Sequence, residues 1–156
     1  NSGKDIVSLE GECRHITSYL QIQQVRYQDI LTYDVDIPEE IANCKIPKIT
    51  LQPLVENALY HGIKNKRGKG RIVVTGRREK DKCVIRVEDN GIGMTKERLN
   101  QVRGGLTTKI EDSNDFYGLY NVNERIRLKF GEGYGLSIDS VLQEGTCVEV
   151  WLPWES

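Results

Sequence analysis

The 156-residue chain has no long apolar run, no excess charge of either sign and few prolines. No stretch approaches the roughly 18 apolar residues that a membrane-spanning helix needs. The 22 Lys and Arg residues balance 23 Asp and Glu residues, so the net charge is -1. This balance excludes a general electrostatic attraction to nucleic acid or anionic lipid. With 4 prolines and 38% hydrophobic residues, the composition also excludes collagen-like and disordered chains.

The four cysteines are far apart and form no Cys-x-x-Cys pair; they are Cys13, Cys44, Cys83 and Cys147. Such spacing indicates neither a zinc site nor a disulfide framework, so we expect reduced and mostly buried thiols. The first residues also lack the basic and apolar segments of a secretory signal peptide. These features are typical of one cytoplasmic domain, and the chain is long enough for a single hydrophobic core.

Hydrophobic periodicity predicts four helices and five strands. Spacings of three and four residues predict helices over residues 6–27, 48–63, 95–102 and 119–130. Alternating patterns predict strands over residues 30–37, 71–77, 83–88, 135–140 and 147–152. The narrow apolar stripe of the first helix suits packing either on its own domain or on a second helix.

The order of these elements predicts the fold class. Hairpins account for most of the strand connections, which favours an antiparallel sheet over a parallel one. We therefore predict an α/β (α+β) two-layer sandwich, with helices on one face of a mixed, largely antiparallel sheet. The sequence contains neither a G-x-G-x-x-G fingerprint nor a P-loop, so it does not indicate a doubly wound nucleotide-binding fold.

Three short motifs contain most of the candidate functional residues. They lie at residues 54–62, 89–93 and 118–122, and they read LVENALYHG, DNGIG and GLYNV. Taken singly, each is compatible with an ordinary helix, turn or helix cap. A fourth short segment, Glu144-Gly145-Thr146, precedes the last predicted strand.

In this order and spacing, the motifs resemble the asparagine box and the two glycine boxes of the GHKL ATP-binding superfamily. That superfamily joins gyrase, a heat-shock chaperone, MutL and histidine kinases. The segments YLQIQ at 19–23, RY at 26–27, IP at 46–47 and LQPLVENA at 51–58 resemble the YesM and LytS class of sensor histidine kinases. The resemblance extends over residues 9–153 and implies the Bergerat-type ATP-binding fold.

The resemblance implies that Asp89 selects the adenine base of ATP. A carboxylate at the end of an apolar strand can accept a hydrogen from the exocyclic amino group of adenine, whereas guanine carries an oxygen there. Gly91 and Gly93, on either side of Ile92, have no Cβ and let the backbone approach a flat base closely. Thr146 is expected to hold this carboxylate or a bridging water.

The resemblance assigns the phosphates and Mg²⁺ to the other two motifs. Asn57 is expected to be a neutral oxygen ligand of Mg²⁺, and His61, four residues later on the same helical face, is expected beside the phosphates. Glu56 neighbours the metal ligand and is expected to orient a water or accept a proton. Gly118 immediately precedes a predicted helix, and the free N–H groups at its start, from Leu119 and Tyr120, can face phosphate oxygens.

The same resemblance implies a domain division and a function. Residues 1–29 would be the tail of a preceding dimerisation or linker helix, and residues 30–156 the catalytic ATP-binding domain. Such a domain transfers the γ-phosphoryl group of Mg-ATP to a histidine on an adjoining domain of the same parent protein, a homodimer. His15 is followed by Ile16 where most kinases carry an acidic residue, so we expect the acceptor histidine elsewhere, in an upstream segment.

The implied partner of the parent protein is a response regulator, which receives the phosphoryl group on an aspartate. We expect no nucleic acid partner. A bacterial cell membrane is expected to be involved only through segments upstream of this cytoplasmic domain.

Two other functions remain open for this sequence, a clamp-type GHKL ATPase and an anti-sigma serine kinase. Gyrase-type members carry a glutamate four residues before the asparagine, where this chain has Pro53. Without that carboxylate we expect slow hydrolysis, which suits a kinase better than a clamp. The long helical lead-in disfavours the serine kinase. The loop 104–117 is expected to be the lid over the nucleotide.

Overall fold

The computed structural model of the protein describes residues 5–28, 30–64, 66, 68–108 and 117–154. Its strands are β1 (Ile6–Ser8), β2 (Leu31–Val35), β3 (Lys45–Pro47), β4 (Gly70–Glu79), β5 (Lys82–Asp89), β6 (Gly135–Val141) and β7 (Gly145–Pro153). Five of them form one sheet in the order β2-β4-β5-β7-β6. Only β2 and β4 in this sheet run parallel, whereas β1 and β3 form a separate antiparallel pair.

The helices are α1 (Leu9–Arg26), α2 (Leu51–Asn57), α3 (Lys96–Gly105) and α4 (Tyr117–Phe130). A π-helical segment, Ala58–Ile63, continues α2 without a break. The predicted cap of α3 is confirmed, because Thr95 Oγ1 accepts the backbone N–H of Arg98 at 3.1 Å. Gly131, with φ at 106°, ends α4 as predicted. Within the described ranges, no helix is long and apolar enough to cross a membrane.

The hydrophobic core lies between the helices and one face of the sheet. Alternate residues of β5, such as Ile85 and Val87, face this core, whereas Arg86 lies on the other face and pairs with Glu88. All four helices contribute buried side chains to the same core. The predicted two-layer arrangement with a mixed, largely antiparallel sheet is therefore confirmed. The four cysteines, all among the described residues, form no disulfide with one another, and three of them are buried.

Two predicted helices begin later than the pattern indicated. Residues Ile6–Ser8 form β1 rather than helix because they pair with β3, and Ser8 then caps α1. The helix predicted from residue 48 begins at Leu51, because Ile49 has a positive φ of 60° that no helix accommodates. Both starts are set by contacts with distant segments, which local periodicity does not encode.

Helix α1 packs on its own domain, which decides between the two alternatives that the sequence left open. Its apolar stripe is buried in the common core; the residues are Leu9, Cys13, Ile16 and Leu20. Gln23, which interrupts the stripe in the sequence, is 9% exposed. The division of the chain at residues 29 and 30 into linker and catalytic domain stays a prediction.

A buried asparagine connects three elements around the core. Asn123 of α4 is 4% exposed, and its Nδ2 donates to the carbonyl oxygen of Leu106 at 2.9 Å. Its Oδ1 accepts the backbone N–H of Leu136 in β6 at 2.8 Å. The side chain thus holds the end of α3 and the start of β6 against α4.

We expect Asn123→Ala to destabilise the protein by about 2–4 kcal/mol, because the buried Leu106 carbonyl loses its partner at about 1–3 kcal/mol and the part-buried Leu136 N–H loses its partner at a smaller cost. Urea unfolding followed by circular dichroism measures this change. Asn121→Ala, on the exposed side of the same helix, is the matched control. Equal unfolding midpoints for the two variants would contradict the structural role of Asn123.

Candidate nucleotide-binding site

A cavity of about 200 Å³ lies between the helical layer and the ends of β5 and β7. The segment 54–62 forms one wall, residues 92–98 and Leu119 form another, and sheet residues form the floor. The side chains and backbone that line it are Leu54, Asn57, Ala58, His61, Gly62, Val87, Asp89, Ile92, Gly93, Met94, Arg98, Leu119, Ile138, Thr146 and Val148. The cavity therefore collects residues from all three sequence motifs.

Asp89 supplies the carboxylate on the cavity floor. It is the last residue of β5, and its Oδ1 accepts the backbone N–H of Gly91 at 2.8 Å. Burial raises the pKa of Asp89 to about 6, although the backbone N–H groups of Gly91 and Thr146 and the charge of Lys66 oppose the rise. The carboxylate is therefore held at a desolvated position in which an additional hydrogen-bond donor stabilises its charged form.

Glycine backbone surrounds Asp89 and makes room for it. A Cβ atom on Gly62 would lie 2.5 Å from Asp89 Oδ1, so only glycine lets the end of the asparagine box approach this carboxylate. Gly93 has φ at 67°, and a Cβ there would overlap the carbonyl oxygen of Val141. The predicted approach of Gly91 and Gly93 to a base stays a prediction; the structure shows that both glycines pack closely on protein backbone. The role of Gly62 was missed. The local sequence around Gly62 does not indicate this role, because the side chain that Gly62 packs against, Asp89, belongs to β5.

Asn57 and His61 lie together in the opposite wall of the cavity. Asn57 is the last residue of α2, and His61 belongs to the π-helical segment that follows. The sequence placed both side chains on one helical face, and both line the cavity. A π-helix widens the turn, and such local widening is common at functional sites. Here the π-helical segment begins directly after Asn57 and contains both His61 and Gly62.

Ile92, Leu119 and Thr146 also line the cavity, as their predicted roles require. Thr146 is the partner of Asp89 in the β5–β7 register, and its Oγ1 lies 2.9 Å from Ser140 Oγ. Gly91 is buried beside the lining and reaches Asp89 through its N–H group. The structure thus brings the adenine-side residues together around one carboxylate.

Besides Gly91, two predicted site residues do not line the cavity, Glu56 and Gly118. Burial raises the pKa of Tyr19 in α1, and the nearby Tyr60 and Glu56 raise it further. The Glu56 carboxylate therefore lies toward α1, and its predicted catalytic role stays a prediction. Gly118 is exposed in the first turn of α4, next to the cavity residue Leu119. Most of the predicted lid lies outside the described residues, which omit 109–116.

Arg98 and Met94 are cavity residues that sequence reasoning missed. Arg98 is the third residue of α3, fixed there by the Thr95 cap, and its Nη1 donates to Gln101 Oε1 at 3.2 Å. Among the described lining residues it has the one permanently charged cationic side chain. Its position three residues after the predicted N-cap could have indicated a cavity residue, because the start of this helix directly follows the motif at residues 89–93.

The polar atoms of the cavity suit a metal ion that enters together with a bound phosphate compound, and not one held by the protein alone. No group of three or more His, Cys, Asp or Glu residues capable of holding a metal ion occurs in the described part of the chain. Asn57, however, presents a carboxamide to the cavity. A single neutral oxygen fits Mg²⁺, which keeps several waters and is otherwise held by substrate phosphates.

Sequence comparison supports the identity of this cavity. The family described as "Histidine kinase-, DNA gyrase B-, and HSP90-like ATPase" matches residues 47–156. The sensor histidine kinase YesM of Bacillus subtilis is 37% identical over 151 residues, covering 96% of this chain and 24% of YesM. The sensor protein LytS of Staphylococcus saprophyticus is 34% identical over 150 residues, covering 96% of this chain and 25% of LytS. The chain thus spans about a quarter of the length of these relatives.

Solved structures agree on the fold. A nucleotide-free form of the catalytic domain of histidine kinase ThkA superimposes with a TM-score of 0.70 at 11% identity, covering 96% of both chains. The histidine kinase domain of the blue-light activated kinase EL346 from Erythrobacter litoralis gives a TM-score of 0.65 at 15% identity, covering 95% of this chain and 62% of that one. On the sequence match and this shared fold, the chain belongs to the ATPase family of histidine kinases, DNA gyrase B and HSP90.

Proposed function

We propose that the chain is the catalytic ATP-binding domain of a sensor histidine kinase. The observation that carries the proposal is that Asp89 and Asn57, from distant motifs, line one cavity. The similarity to YesM and LytS over almost the whole chain supports a kinase within the wider family. The phosphoryl acceptor would be a histidine on an adjoining domain of a homodimeric parent protein, and a response regulator would receive the phosphoryl group next. Upstream segments would attach the parent protein to the cell membrane.

In this proposal Asp89 accepts a hydrogen bond from the exocyclic amino group of adenine, while Gly91, Ile92 and Gly93 contact the base. The backbone N–H of Thr146 donates a hydrogen bond to the Asp89 carboxylate. A desolvated carboxylate discriminates strongly against guanine, whose oxygen at the same position would repel it. The floor of the cavity therefore sets base specificity.

The phosphates would lie on the side of Asn57, His61 and Leu119. Asn57 would hold Mg²⁺ through its side-chain oxygen, and the ion when bound neutralises phosphate charge. The N–H groups at the start of α4, from Gly118 and Leu119, suit phosphate oxygens. The acceptor histidine nitrogen attacks the γ-phosphorus, the bond to the β-phosphate oxygen breaks, and ADP leaves with the electron pair.

The surroundings of Pro53 favour a kinase over a clamp ATPase. A Cβ on Gly118 would lie 3.8 Å from Pro53 Cβ, so the proline borders the start of α4. Gyrase-type members carry their water-activating glutamate at the position of Pro53, as noted above. A hydrocarbon ring cannot accept a proton from water, so the γ-phosphate should persist until another nucleophile is presented.

Titration with nucleotides tests the proposal directly. We expect ADP and ATP with Mg²⁺ to raise the thermal unfolding midpoint and GDP and GTP to leave it nearly unchanged. Asp89→Asn should abolish adenine binding and stabilise the free protein by up to about 3 kcal/mol at pH 7, because it removes the cost of a buried carboxylate. The control is Asp81→Asn in the exposed β4–β5 turn. Full ADP affinity in Asp89→Asn would refute the assigned role.

Binding should also depend on pH through Asp89. Its folded pKa of about 6 lies above its ordinary value of 3.8, so lowering the pH through 6 protonates the acceptor. Adenosine affinity should therefore fall as the pH decreases from 7.5 to 5. The same raised pKa means that the free protein loses stability as the pH rises from about 4 to 6. Isothermal titration calorimetry at several pH values measures the first effect, and a pH-independent affinity would contradict it.

Arg98 is proposed to face the phosphates as the cation of the cavity. We expect Arg98→Gln to weaken ADP binding about tenfold, the equivalent of one charge-assisted hydrogen bond. Adenosine, which has no phosphate, should bind the variant as it binds the wild type. Lys96→Gln, an exposed change on the same helix, is the control. Equal losses for ADP and adenosine would place Arg98 at the base or the ribose instead.

A further inference from the structure

The turn before α2 is held from two sides by charged side chains of other helices. Glu12 of α1 is 3% exposed, and its carboxylate accepts three backbone N–H groups. They belong to Ile49 at 3.0 Å, Thr50 at 3.1 Å and Leu51 at 3.2 Å. A buried carboxylate from α1 thus satisfies the free donors at the start of α2.

Arg125 of α4 holds the same turn from the opposite side. Its Nη2 donates to the carbonyl oxygens of Lys48 at 2.9 Å and Ile49 at 3.1 Å, and it lies 3.3 Å from Thr50 Oγ1. Ile49 between these contacts has φ at 60°, an unfavourable conformation for a β-branched residue. Such strain persists only where the surroundings impose it, and here hydrogen bonds on both sides impose it.

The held turn lies directly upstream of the proposed metal ligand. Helix α2 has only seven residues, so its first residue, Leu51, and its last, Asn57, are about 9 Å apart along the axis. The turn and Asn57 therefore lie at the two ends of one regular helical stretch, so the position of the turn bears directly on the position of Asn57. Helix α1 makes a second contact with α2, because His15 Nε2 lies 2.6 Å from Gln52 Oε1.

We propose that Glu12 is a positioning residue, which with Arg125 sets the place of Asn57 in the cavity. This inference rests on the proposed function, because it assumes that Asn57 holds the metal that accompanies the nucleotide. The hydrogen bonds of Glu12 and Arg125 to the turn form a bridge that connects α1, α2 and α4. Two of these helices line the cavity, α2 through Asn57 and α4 through Leu119. A displacement of α1 along its axis therefore alters the grip on Mg²⁺ more than it alters the adenine floor on β5.

The test compares two ligands in the full chain, ADP with Mg²⁺ and adenosine without it. We expect Glu12→Gln to weaken Mg-ADP binding at least tenfold, as changes to the groups that orient a metal ligand do. Adenosine affinity should change less than about twofold, because the hydrogen bonds of β5 to β4 and β7, and not the start of α2, fix Asp89. Glu10→Gln removes the same charge from an exposed position of the same helix and should leave both affinities unchanged.

Each outcome separates the inference from the proposed function. Wild-type protein that binds neither ligand would refute the proposed function itself. Folded Glu12→Gln that binds Mg-ADP like the wild type would refute the positioning role. A parallel loss of both ligands would also refute it, because a general loosening of the fold would then explain the change.

A second variant keeps the test decisive if Glu12→Gln does not fold. Arg125 is exposed, so Arg125→Gln removes the outer half of the bridge with little effect on the core. We expect the same selective loss of Mg-ADP affinity, measured at a temperature at which circular dichroism shows native protein. Lys129→Gln, exposed on the same helix, is its control. Unchanged Mg-ADP affinity in Arg125→Gln would overturn the inference.

Discussion

The site depends on one constraint, the burial of the Asp89 carboxylate at the end of β5. Removing a carboxylate from water costs free energy unless hydrogen bonds replace the lost hydration. Two backbone N–H groups, from Gly91 and Thr146, supply part of that replacement, and the raised pKa shows that they do not supply all of it. The remaining acceptor capacity is what an adenine amino group can use.

The packing around this carboxylate explains why the motifs contain glycine. The asparagine box and the first glycine box cross at Gly62 and Gly91, and a Cβ on Gly91 would overlap the backbone of Gly62. Only backbone without side chains allows both segments to approach Asp89. The opposite wall is built differently, from side chains on a short helix that widens into a π-turn. One wall is therefore set by close backbone contact and the other by the position of α2.

The floor of the site and the wall that carries Asn57 are fixed by different contacts. The floor belongs to central strands of the sheet, which hydrogen bonds hold on both sides. The wall that carries Asn57 is a seven-residue helix whose start is fixed by side chains of α1 and α4. In the proposed function, base recognition would depend mainly on the sheet and metal binding mainly on the start of α2, and the two parts meet at Gly62.

Much of the fold could be predicted from local patterns, since the helices and strands with strong periodicity occur near their predicted places. Asp89, Asn57, His61 and Thr146 were predicted as site residues and do line one cavity. The buried contacts of Glu12 and Asn123 were missed, because their partners are 37 to 39 and 13 to 17 residues away. Arg98 was missed although its place after the Thr95 cap could have indicated it. A charged or amide side chain in a helix has the same sequence pattern whether it is solvated or buried.

The sequence by itself determined the order of elements, the one-sided sheet and the chemistry of the motifs, because periodicity and residue type are local properties. The tertiary structure alone decided where α2 begins, that Glu56 lies toward α1, and that Gly62 packs against Asp89. These features result from contacts between segments distant in the chain. Such contacts depend on how whole elements pack, and no single segment encodes them.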